Sequence, residues 1–156
     1  MANCVIVREA TRADIADIER VVVAAYSPYV ARIGRAPAPM SVDYAALVTN
    51  TDRTWVLTID TAVLGMLVTV PEHDHLLIEN LAVSPAVHGR GHGGTLLRHA
   101  ERIACTHGRS QTRLYTNAAM TENLAMYPRL GYVEVERRCV DGFDRVFFVK
   151  KLQCPQ

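Results

Sequence analysis

The chain has 156 residues, of which 49% are hydrophobic and 21% charged, as expected of a single globular domain spanning residues 1–156. Its formal net charge of +1 argues against a broad surface for nucleic acid or for an anionic membrane. The N-terminal segment turns acidic before a short apolar run, so neither a signal peptide nor a membrane span is expected, and the protein is predicted to be cytoplasmic.

The cysteine pattern argues against both a zinc site and a small disulfide scaffold. No two of the four cysteines form a C-x-x-C pair. We therefore expect reduced thiols, as in the cytosol, at Cys4, Cys105, Cys139 and Cys154.

The N-terminal half predicts a strand, a helix and a loop before three further strands. NCVIVREA predicts the first strand, and TRADIADIERVVVAAY predicts a helix whose start is marked by the capping pair Thr11 and Asp14. The prolines and the glycine of SPYVARIGRAPAPM argue against a continuous helix until Ser41, which is expected to cap a second one. RTWVLTI, AVLGMLVTV and HLLIENLAV then predict an antiparallel meander, with a hairpin at Asp60 and Thr61.

The C-terminal half adds two helices and three strands. GGTLLRHAERIACTHG predicts a helix that ends at Gly108, and TRLYTN predicts a strand. TENLAMYPRLGY predicts a short helix that begins at Thr121 and bends or ends near Pro128, before a closing hairpin around DGF. The sequence therefore predicts an α+β fold with a mixed, mostly antiparallel central sheet flanked by helices.

A glycine-rich segment, VHGRGHGGTLL, lies between the third strand of the meander and the following helix. Glycines at such a turn expose unpaired backbone amides at the positive end of the helix dipole, which is a site for an anion and most often for phosphate. The segment matches G-x-G-x-x-G, but the region where a dinucleotide site needs an acidic residue is QTRLYTN, which has none. A triphosphate loop needs lysine where this chain has Thr95.

The glycine segment and the strand before it carry a family resemblance. LLIENLAVSPAVHGRGHGGTLLRHAE resembles the cofactor motif of the GNAT N-acetyltransferases, Gln/Arg-x-x-Gly-x-Gly/Ala, with His88, Gly91 and Gly93 at those positions. NLAMYPRLGY resembles the later Asn-x-x-Ala-x-x-Tyr segment of the family, although Ala125 and Tyr127 are only two residues apart here. The resemblance covers roughly residues 3–152 and implies the GNAT fold with acetyl-coenzyme A as cosubstrate.

The resemblance also implies which residues contact the cofactor. The pyrophosphate is expected on backbone amides of the glycine turn, and the pantetheine arm beside the strand segment NLAV. For Asn117 and Asn123, a local capping role is the alternative to cofactor binding. The residues implied in cofactor binding are Leu81, Ala82, Val83, His88, Gly89, Arg90, Gly91, His92, Gly93, Gly94, Asn117 and Asn123.

Two residues are candidates for proton transfer. An alkylamine is mostly protonated at neutral pH, so acyl transfer needs a base, and Glu79 is the one acid within the apolar run LLIENLAV. A solvent-facing glutamate is the alternative, and Asp74 and His75 are weaker candidates. By the resemblance, Tyr127 matches the proton donor for the departing thiolate, and packing of its ring is the alternative.

Three residues are expected to line the acceptor pocket, with core packing as the alternative for each: Tyr26, Tyr29 and Met40. His73 lies beside Asp74 and His75, but no distant ligand set is apparent, so no metal is expected. The resemblance implies transfer of acetyl to a primary amine, in a small molecule or a peptide, by direct attack. A non-catalytic acyl-coenzyme A sensor is the alternative function, and the fold class also allows a homodimer.

Overall fold

The computed structural model describes residues 3–50 and 53–156. The elements in this part of the chain are, in order, β1 Val5–Glu9, α1 Ile15–Ile33, α2 Tyr44–Val48, β2 Thr54–Ile59, β3 Ala62–Pro71, β4 Leu76–Val83, α3 His92–Thr106, β5 Gln111–Asn117, α4 Thr121–Arg129, β6 Val133–Val140 and β7 Phe143–Lys151. Short 3-10 segments cover Arg12–Asp14, Ala38–Ser41 and Pro85–Val87.

The strands form one seven-stranded sheet in the order β1-β2-β3-β4-β5-β7-β6. β4 pairs with β5 in parallel, whereas the pairs β1–β2, β2–β3, β5–β7 and β6–β7 are antiparallel. The predicted α+β fold with a mixed, mostly antiparallel sheet is therefore confirmed. Both predicted hairpins are present, and Asp141 and Gly142 turn the second one with positive φ angles of 52° and 79°, the geometry that two-residue hairpins favour.

The chain divides into two compact units. The first contains residues up to Thr69 together with Asn80–His99, and the second contains Val70–Glu79 together with Ala100–Gln156. In the first unit, α1 buries one apolar stripe against strands β2 and β3, because its apolar residues recur at helical spacing. The side chains at the centre of this core are Ile18, Val21, Val22, Val56, Met66 and Val68.

Gly65 in β3 allows Leu96 of α3 to approach the sheet closely. A Cβ at this position would lie 3.2 Å from Leu57 Cβ, 3.3 Å from Leu96 Cδ1 and 3.4 Å from the Ala82 carbonyl oxygen. The two distances to carbon atoms are shorter than ordinary packing contacts, whereas the distance to the oxygen is an ordinary contact. The missing side chain therefore lets Leu96 of α3 pack directly against the sheet.

The first helix is longer than the sequence predicted. α1 continues through Pro28 to Ile33, although proline removes one helical hydrogen bond. It ends at Gly34, whose φ of 88° is left-handed and whose N–H donates to the Val30 carbonyl at 2.9 Å. The prediction of a non-helical segment after Tyr26 is wrong for residues 27–33, where the half-buried side chains of Tyr29, Val30 and Ile33 recur at helical spacing despite the one lost hydrogen bond.

The cap of the second helix also differs from the prediction. Ser41 ends a 3-10 segment, and Asp43 is the residue that caps α2, its carboxylate accepting from the Ala46 N–H at 3.1 Å. Aspartate satisfies the same orphan amide that serine would have satisfied. The helix therefore starts at Tyr44, and this start fixes where the Tyr44 side chain points.

The second unit corrects the expectation for two of the four cysteines. Cys105 in the last turn of α3 and Cys154 after β7 form a disulfide, with Cα atoms 5.4 Å apart. They are separated by 49 residues in the sequence, so no short cysteine motif could indicate the pair. Cys4 and Cys139 are free thiols.

Asp14 is the buried charge that fixes the start of the helical segment before α1. Arg8 donates to both of its carboxylate oxygens, at 2.8 Å and 3.0 Å, and the Thr11 N–H donates to it at 2.8 Å. The predicted pairing of Thr11 with Asp14 is therefore confirmed. The hydrogen bonds from Arg8 hold the pKa of Asp14 below its usual value, so the charged form stabilises the fold.

We expect Asp14→Asn to lower the free energy of unfolding by about 1.5–3 kcal/mol at pH 7, the usual range for hydrogen bonds to a charged group. Because the pKa of Asp14 is lower in the folded state, its contribution is complete above the unfolded pKa of about 3.9 and is lost as the pH falls through the folded pKa. Denaturant unfolding at pH 7 and at pH 3 should therefore show a large difference from wild type that shrinks in acid. A difference that is independent of pH would contradict this assignment.

Candidate active site

The glycine-rich turn leads directly into α3. Gly89 and Gly91 have φ angles of 77° and 82°, in the left-handed region that favours glycine. A Cβ at either position would meet nothing within 4 Å, so these glycines are required by backbone conformation and border open space. The Thr95 N–H donates to the Gly91 carbonyl at 3.1 Å, which makes Gly91 the residue that caps the helix.

The first turn of α3 is suited to an anion. The amides of Gly91 to Gly94 have no partner within the helix, because the first four N–H groups of any α-helix lack one. The first turn carries no acidic residue, and exposed Arg90 adds a positive charge just before it. The positive end of the helix dipole adds to this preference. This arrangement can hold a phosphate or pyrophosphate group.

His88 points back to the strand rather than toward the turn. Its Nε2 lies 2.9 Å from the Val83 carbonyl oxygen. In the segment between these two residues, the Ser84 side chain accepts from the Ala86 N–H at 3.3 Å. The side chain at the position where the family usually has Gln or Arg therefore braces the connection between β4 and α3. His92 begins the helix as its first residue.

The side chains of β4 alternate strictly between two faces. Leu76, Ile78, Asn80 and Ala82 are buried, whereas the four residues between them are half-buried or, at Glu79, exposed. Glu79 therefore shares a face with Leu81 and Val83, as the strand period predicts.

The backbone groups of β4 also alternate between two directions. The Ser84 N–H donates to the Leu64 carbonyl of β3 at 2.8 Å, so Ala82 turns its backbone groups toward β3. The groups of Leu81 and Val83 turn away from β3. Their carbonyl oxygens lie near side-chain donors instead, at 3.0 Å from the Tyr26 hydroxyl and 2.9 Å from His88 Nε2.

A buried polar chain connects β4 with the helices of the first unit. The Tyr26 hydroxyl lies 2.8 Å from Asn80 Oδ1, Asn80 Nδ2 donates to the Tyr44 hydroxyl at 2.8 Å, and that hydroxyl donates to the Pro39 carbonyl at 2.6 Å. Asn80 is 7% exposed and Tyr44 is 3% exposed. Neither residue is predicted as functional from the sequence, although an asparagine inside an apolar strand is a signal of the same kind as Glu79.

The three residues expected at the acceptor pocket lie in or near this region of the first unit. Tyr26 and Met40 are partly buried and pack against the core cluster. Tyr29 lies one turn after Tyr26 on α1, with the guanidinium of Arg32 5.0 Å from its ring centre. Packing therefore accounts for part of the environment of each residue.

The turn before β4 holds the weaker candidates for a base. His75 Nδ1 lies 2.7 Å from the Asp74 carboxylate, and Arg113 Nη2 lies 3.7 Å from it. The hydrogen bond with His75 is the main reason that the pKa of Asp74 lies below its usual value. No group of three potential metal ligands occurs among residues 3–50 and 53–156, His73 included.

The two asparagines of the second unit make local contacts. Asn117 Oδ1 accepts from the Ala119 N–H at 2.9 Å, which stabilises the turn after β5. Asn123 Nδ2 donates to Thr116 Oγ1 at 3.1 Å. A local turn contact therefore accounts for Asn117 and a hydrogen bond to β5 for Asn123, and their contact with a cofactor stays a prediction.

Tyr127 is buried in the second unit. Its ring lies 5.5 Å from that of Phe148 and 6.0 Å from that of Tyr132. Pro128 follows it in the last turn of α4, which ends at Arg129, as the proline predicted. The packing role of the ring is therefore established, and its role as a proton donor stays a prediction.

The comparison with known families identifies the chain. A model of the GNAT acetyltransferase domain matches residues 50–134, more than half of the sequence. The chain belongs to the GNAT acetyltransferase family. It is therefore an acyltransferase, as the glycine turn and the strand before it predicted. Among curated proteins, no sequence matches significantly.

Several solved GNAT structures share the fold. The PaiA N-acetyltransferase of Thermoplasma acidophilum, in complex with coenzyme A, is 16% identical with a TM-score of 0.79, over 95% of this chain and 99% of that one. The ribosomal-protein-S18-alanine N-acetyltransferase of Escherichia coli is 18% identical with a TM-score of 0.76, over 98% and 97%. A GNAT acetyltransferase of Elizabethkingia anophelis with acetyl-CoA bound is 19% identical with a TM-score of 0.59, over 64% and 75%.

No helix in the described part of this GNAT chain is long and apolar enough to cross a membrane.

Proposed function

We propose that this GNAT protein transfers the acetyl group of acetyl-coenzyme A to a primary amine by direct attack of the amine on the thioester. The observation that carries the proposal is the turn at Gly89 and Gly91, which has a left-handed backbone, borders open space and leads into the first amides of α3. Amides at a helix N-terminus bind phosphate groups, and coenzyme A carries a pyrophosphate. The fold is shared with GNAT proteins solved with coenzyme A or acetyl-CoA.

In this proposal, the cosubstrate lies along the second half of β4, after Leu76–Ile78, the residues that pair with β5. The amides of Gly89 to Gly94 would hold the pyrophosphate, with Arg90 adding charge. The outward backbone groups of Val83 would pair with an amide of the pantetheine arm, since a carbonyl oxygen has a second lone pair beyond the one that His88 uses. The outward N–H of Leu81 would stabilise charge on the thioester oxygen. Ala82 turns its backbone toward β3, so we assign it no contact.

Glu79 is the base in this proposal. An alkylamine with a pKa near 10.4 is mostly protonated at neutral pH, so a proton must leave before nitrogen can attack. Glu79 is an exposed carboxylate on the same strand face as Leu81 and Val83. It would accept the proton directly or through water.

Tyr127 is the proposed donor to the thiolate of coenzyme A. A thiolate with a pKa near 8.5 is a moderate leaving group that gains from a proton. The ring of Tyr127 packs against Tyr132 and Phe148, which would fix the position of its hydroxyl oxygen. Tyr127 is assigned as the donor because it lies at the position of the family motif where the donor is expected.

The acceptor is a small-molecule amine or a peptide amine. One structural neighbour is named for the alanine of ribosomal protein S18, so an amine panel should include a peptide with N-terminal alanine beside small amines. Binding of acetyl-coenzyme A without thiol release on any amine would favour the non-catalytic sensor. The expected homodimer stays a prediction, for which β6 offers an edge strand whose residues from Val133 to Cys139 are all exposed.

We expect Gly91→Leu to weaken coenzyme A binding by tenfold or more, which corresponds to a loss of about 1.4 kcal/mol of binding free energy for each factor of ten. The leucine side chain would enter the open space, and the backbone would leave the left-handed region. Gly108→Leu is the matched control, since Gly108 also has a positive φ of 71° with no atom within 4 Å of a Cβ. Titration calorimetry should show weaker binding for the first variant only. Unchanged affinity in Gly91→Leu would remove the phosphate site from this turn.

We expect Glu79→Gln to keep the affinity for coenzyme A and to lower the acetylation rate roughly 10²–10⁴-fold at neutral pH, the usual effect of losing a general base. Higher pH should partly restore the rate, because more of the amine is then neutral. Glu72→Gln, which removes an equal charge before β4, should behave like wild type. A wild-type rate and pH profile for Glu79→Gln would pass the role to His75, Asp74 or water.

We expect Tyr127→Phe to lower turnover by up to about 10²-fold, the lower end for general-acid loss, with a smaller change in cofactor affinity. Tyr132→Phe removes the hydroxyl of the neighbouring tyrosine, which contacts Thr112 Oγ1 at 3.0 Å, and should retain turnover. Burial raises the pKa of Tyr132, so its hydroxyl stays protonated throughout an alkaline assay. Equal turnover of Tyr127→Phe and wild type at alkaline pH would leave Tyr127 as a packing residue.

A further inference from the structure

One face of the sheet in the second unit carries three arginines beside aromatic rings. Residues that lie side by side on neighbouring strands project to the same face, and the register pairs Tyr115 of β5 with Phe147 of β7. Arg113 and Arg145 each lie two residues before one of these rings, and Arg138 of β6 pairs with Arg145. Since side chains on a strand alternate with a period of two, all five residues share this face, which we call the arginine face.

Two of the three arginines have a carboxylate partner. Arg113 Nη2 lies 3.7 Å from the Asp74 carboxylate, and Arg138 Nε lies 3.3 Å from the carboxylate of Glu136. Arg138 also stacks on Phe147, with its guanidinium carbon 4.5 Å from the ring centre. Both positive charges are therefore compensated by negative charges of the protein itself.

Arg145 differs from the other two, because only aromatic rings contact its guanidinium. The guanidinium carbon lies 4.3 Å from the ring centre of Tyr115 and 5.9 Å from that of Phe143. Among residues 3–50 and 53–156, no side chain or carbonyl forms a hydrogen bond or an ion pair with this guanidinium. The side chain is half-buried, so the rings hold it in place and cover part of it. Its planar N–H donors suit a carboxylate, which accepts two parallel hydrogen bonds.

This guanidinium lies close to the strand that carries the proposed base. β5 lies between β4 and β7, and Arg145 reaches from β7 over the ring of Tyr115 in β5. The pairing of β4 with β5 ends at Ile78 and Leu114, and Glu79 and Tyr115 are the next residues of the two strands, all within the second unit. One to two strand spacings, roughly 5–10 Å, therefore separate the backbone of Glu79 from the guanidinium.

We infer that Arg145 determines the acceptor class: the acceptor is a primary amine that also carries a carboxylate, which the Arg145 guanidinium holds while the amine lies at Glu79. The inference rests on the proposed function. Only one positive charge of the arginine face is uncompensated, which matches the single charge of a carboxylate rather than the nearly two charges of a phosphate monoester. The carboxylate takes no part in bond making, so Arg145 acts on the binding of the acceptor.

The charge preference is testable on the wild-type protein with two acceptors of equal length. 6-Aminohexanoate carries a carboxylate, and 6-aminohexanamide carries a neutral amide at the same end. We expect the KM for the carboxylate to be about tenfold lower, the factor that a hydrogen bond to a charged group supplies at a partly exposed site. The kcat should be similar, because the contact lies away from the reacting atoms. Thiol release at saturating acetyl-coenzyme A measures both.

A second pair of acceptors distinguishes a free amino acid from a peptide as the source of the carboxylate. Amidated Ala-Glu-Ala carries an acidic side chain near its N-terminal amine, and amidated Ala-Gln-Ala is its neutral counterpart. A lower KM for the acidic member of either pair supports the inference and identifies the source. Equal KM values within both pairs, with thiol released, would overturn this inference alone.

Arg145→Met should remove the preference. Methionine keeps an unbranched side chain against the two rings but has no charge and no N–H donor. We therefore expect the KM for the acidic acceptor to rise about tenfold and the KM for its neutral counterpart to stay the same, which also shows that the variant is folded. Arg145→Lys keeps the charge without the two parallel donors, so its KM for the acidic acceptor should lie between those of wild type and Arg145→Met.

Arg138→Met is the matched control. It removes an equal charge and a similar stacking contact from the same face, but from an arginine that Glu136 already compensates. The KM ratio of the acidic and neutral acceptors should change by less than about threefold, as expected for an exposed ion pair. Loss of the preference in Arg138→Met together with its retention in Arg145→Met would show that the assignment to Arg145 is wrong.

Binding of the carboxylate is also measurable without turnover. In ¹H–¹⁵N spectra of the protein with coenzyme A, at least one of the two acidic acceptors should shift the Nε–H signal of Arg145, and its neutral counterpart should not. An unmoved signal with both acidic acceptors, or equal shifts with the neutral ones, would overturn the inference. A wild-type protein that releases no thiol with any primary amine would overturn the proposed function and, with it, the acceptor role of Arg145, whatever this spectrum shows.

Discussion

The register of β4 against β3 is the constraint on which the first unit depends. One hydrogen bond, from the Ser84 N–H to the Leu64 carbonyl, marks which backbone groups of β4 turn toward β3. The residues whose groups turn toward β3 bury their side chains, and the others carry their side chains on the more open face. A shift of the strand by one residue would bury Glu79 and expose Asn80. The register therefore fixes both the side chains in the core and the backbone groups that turn away from β3.

Burial of Asn80 removes a polar group from water and also orients the side chains around it. An amide removed from water is unfavourable unless its atoms find partners, and in this chain both ends of the Asn80 amide have one. A leucine at position 80 would need no hydrogen-bond partners. The polar residue instead fixes the orientation of two tyrosines that come from different helices, which apolar contacts alone do not do.

Local patterns in the sequence predicted most of the fold. The alternation of β4 placed Glu79 on one face with Leu81 and Val83, and four glycines marked the turn into α3. What the sequence did not predict depends on residues far apart: Tyr44 and Asn80 are 36 positions apart, and the two disulfide cysteines 49. The continuation of α1 through Pro28 is similar, because α1 contacts the 3-10 segment Ala38–Ser41 and α2, which a local rule about proline does not include.

Gly65 has a consequence for inherited variation. The space that a side chain would need is already occupied by Leu57, the Ala82 carbonyl and Leu96 of α3. Leu96 lies within one helical turn of the amides that begin α3, so even a methyl group at position 65 would press on the helix that carries them. In a genetic screen, alleles at this codon would therefore resemble lesions of the glycine turn that is proposed to bind phosphate, although the residue itself belongs to the sheet.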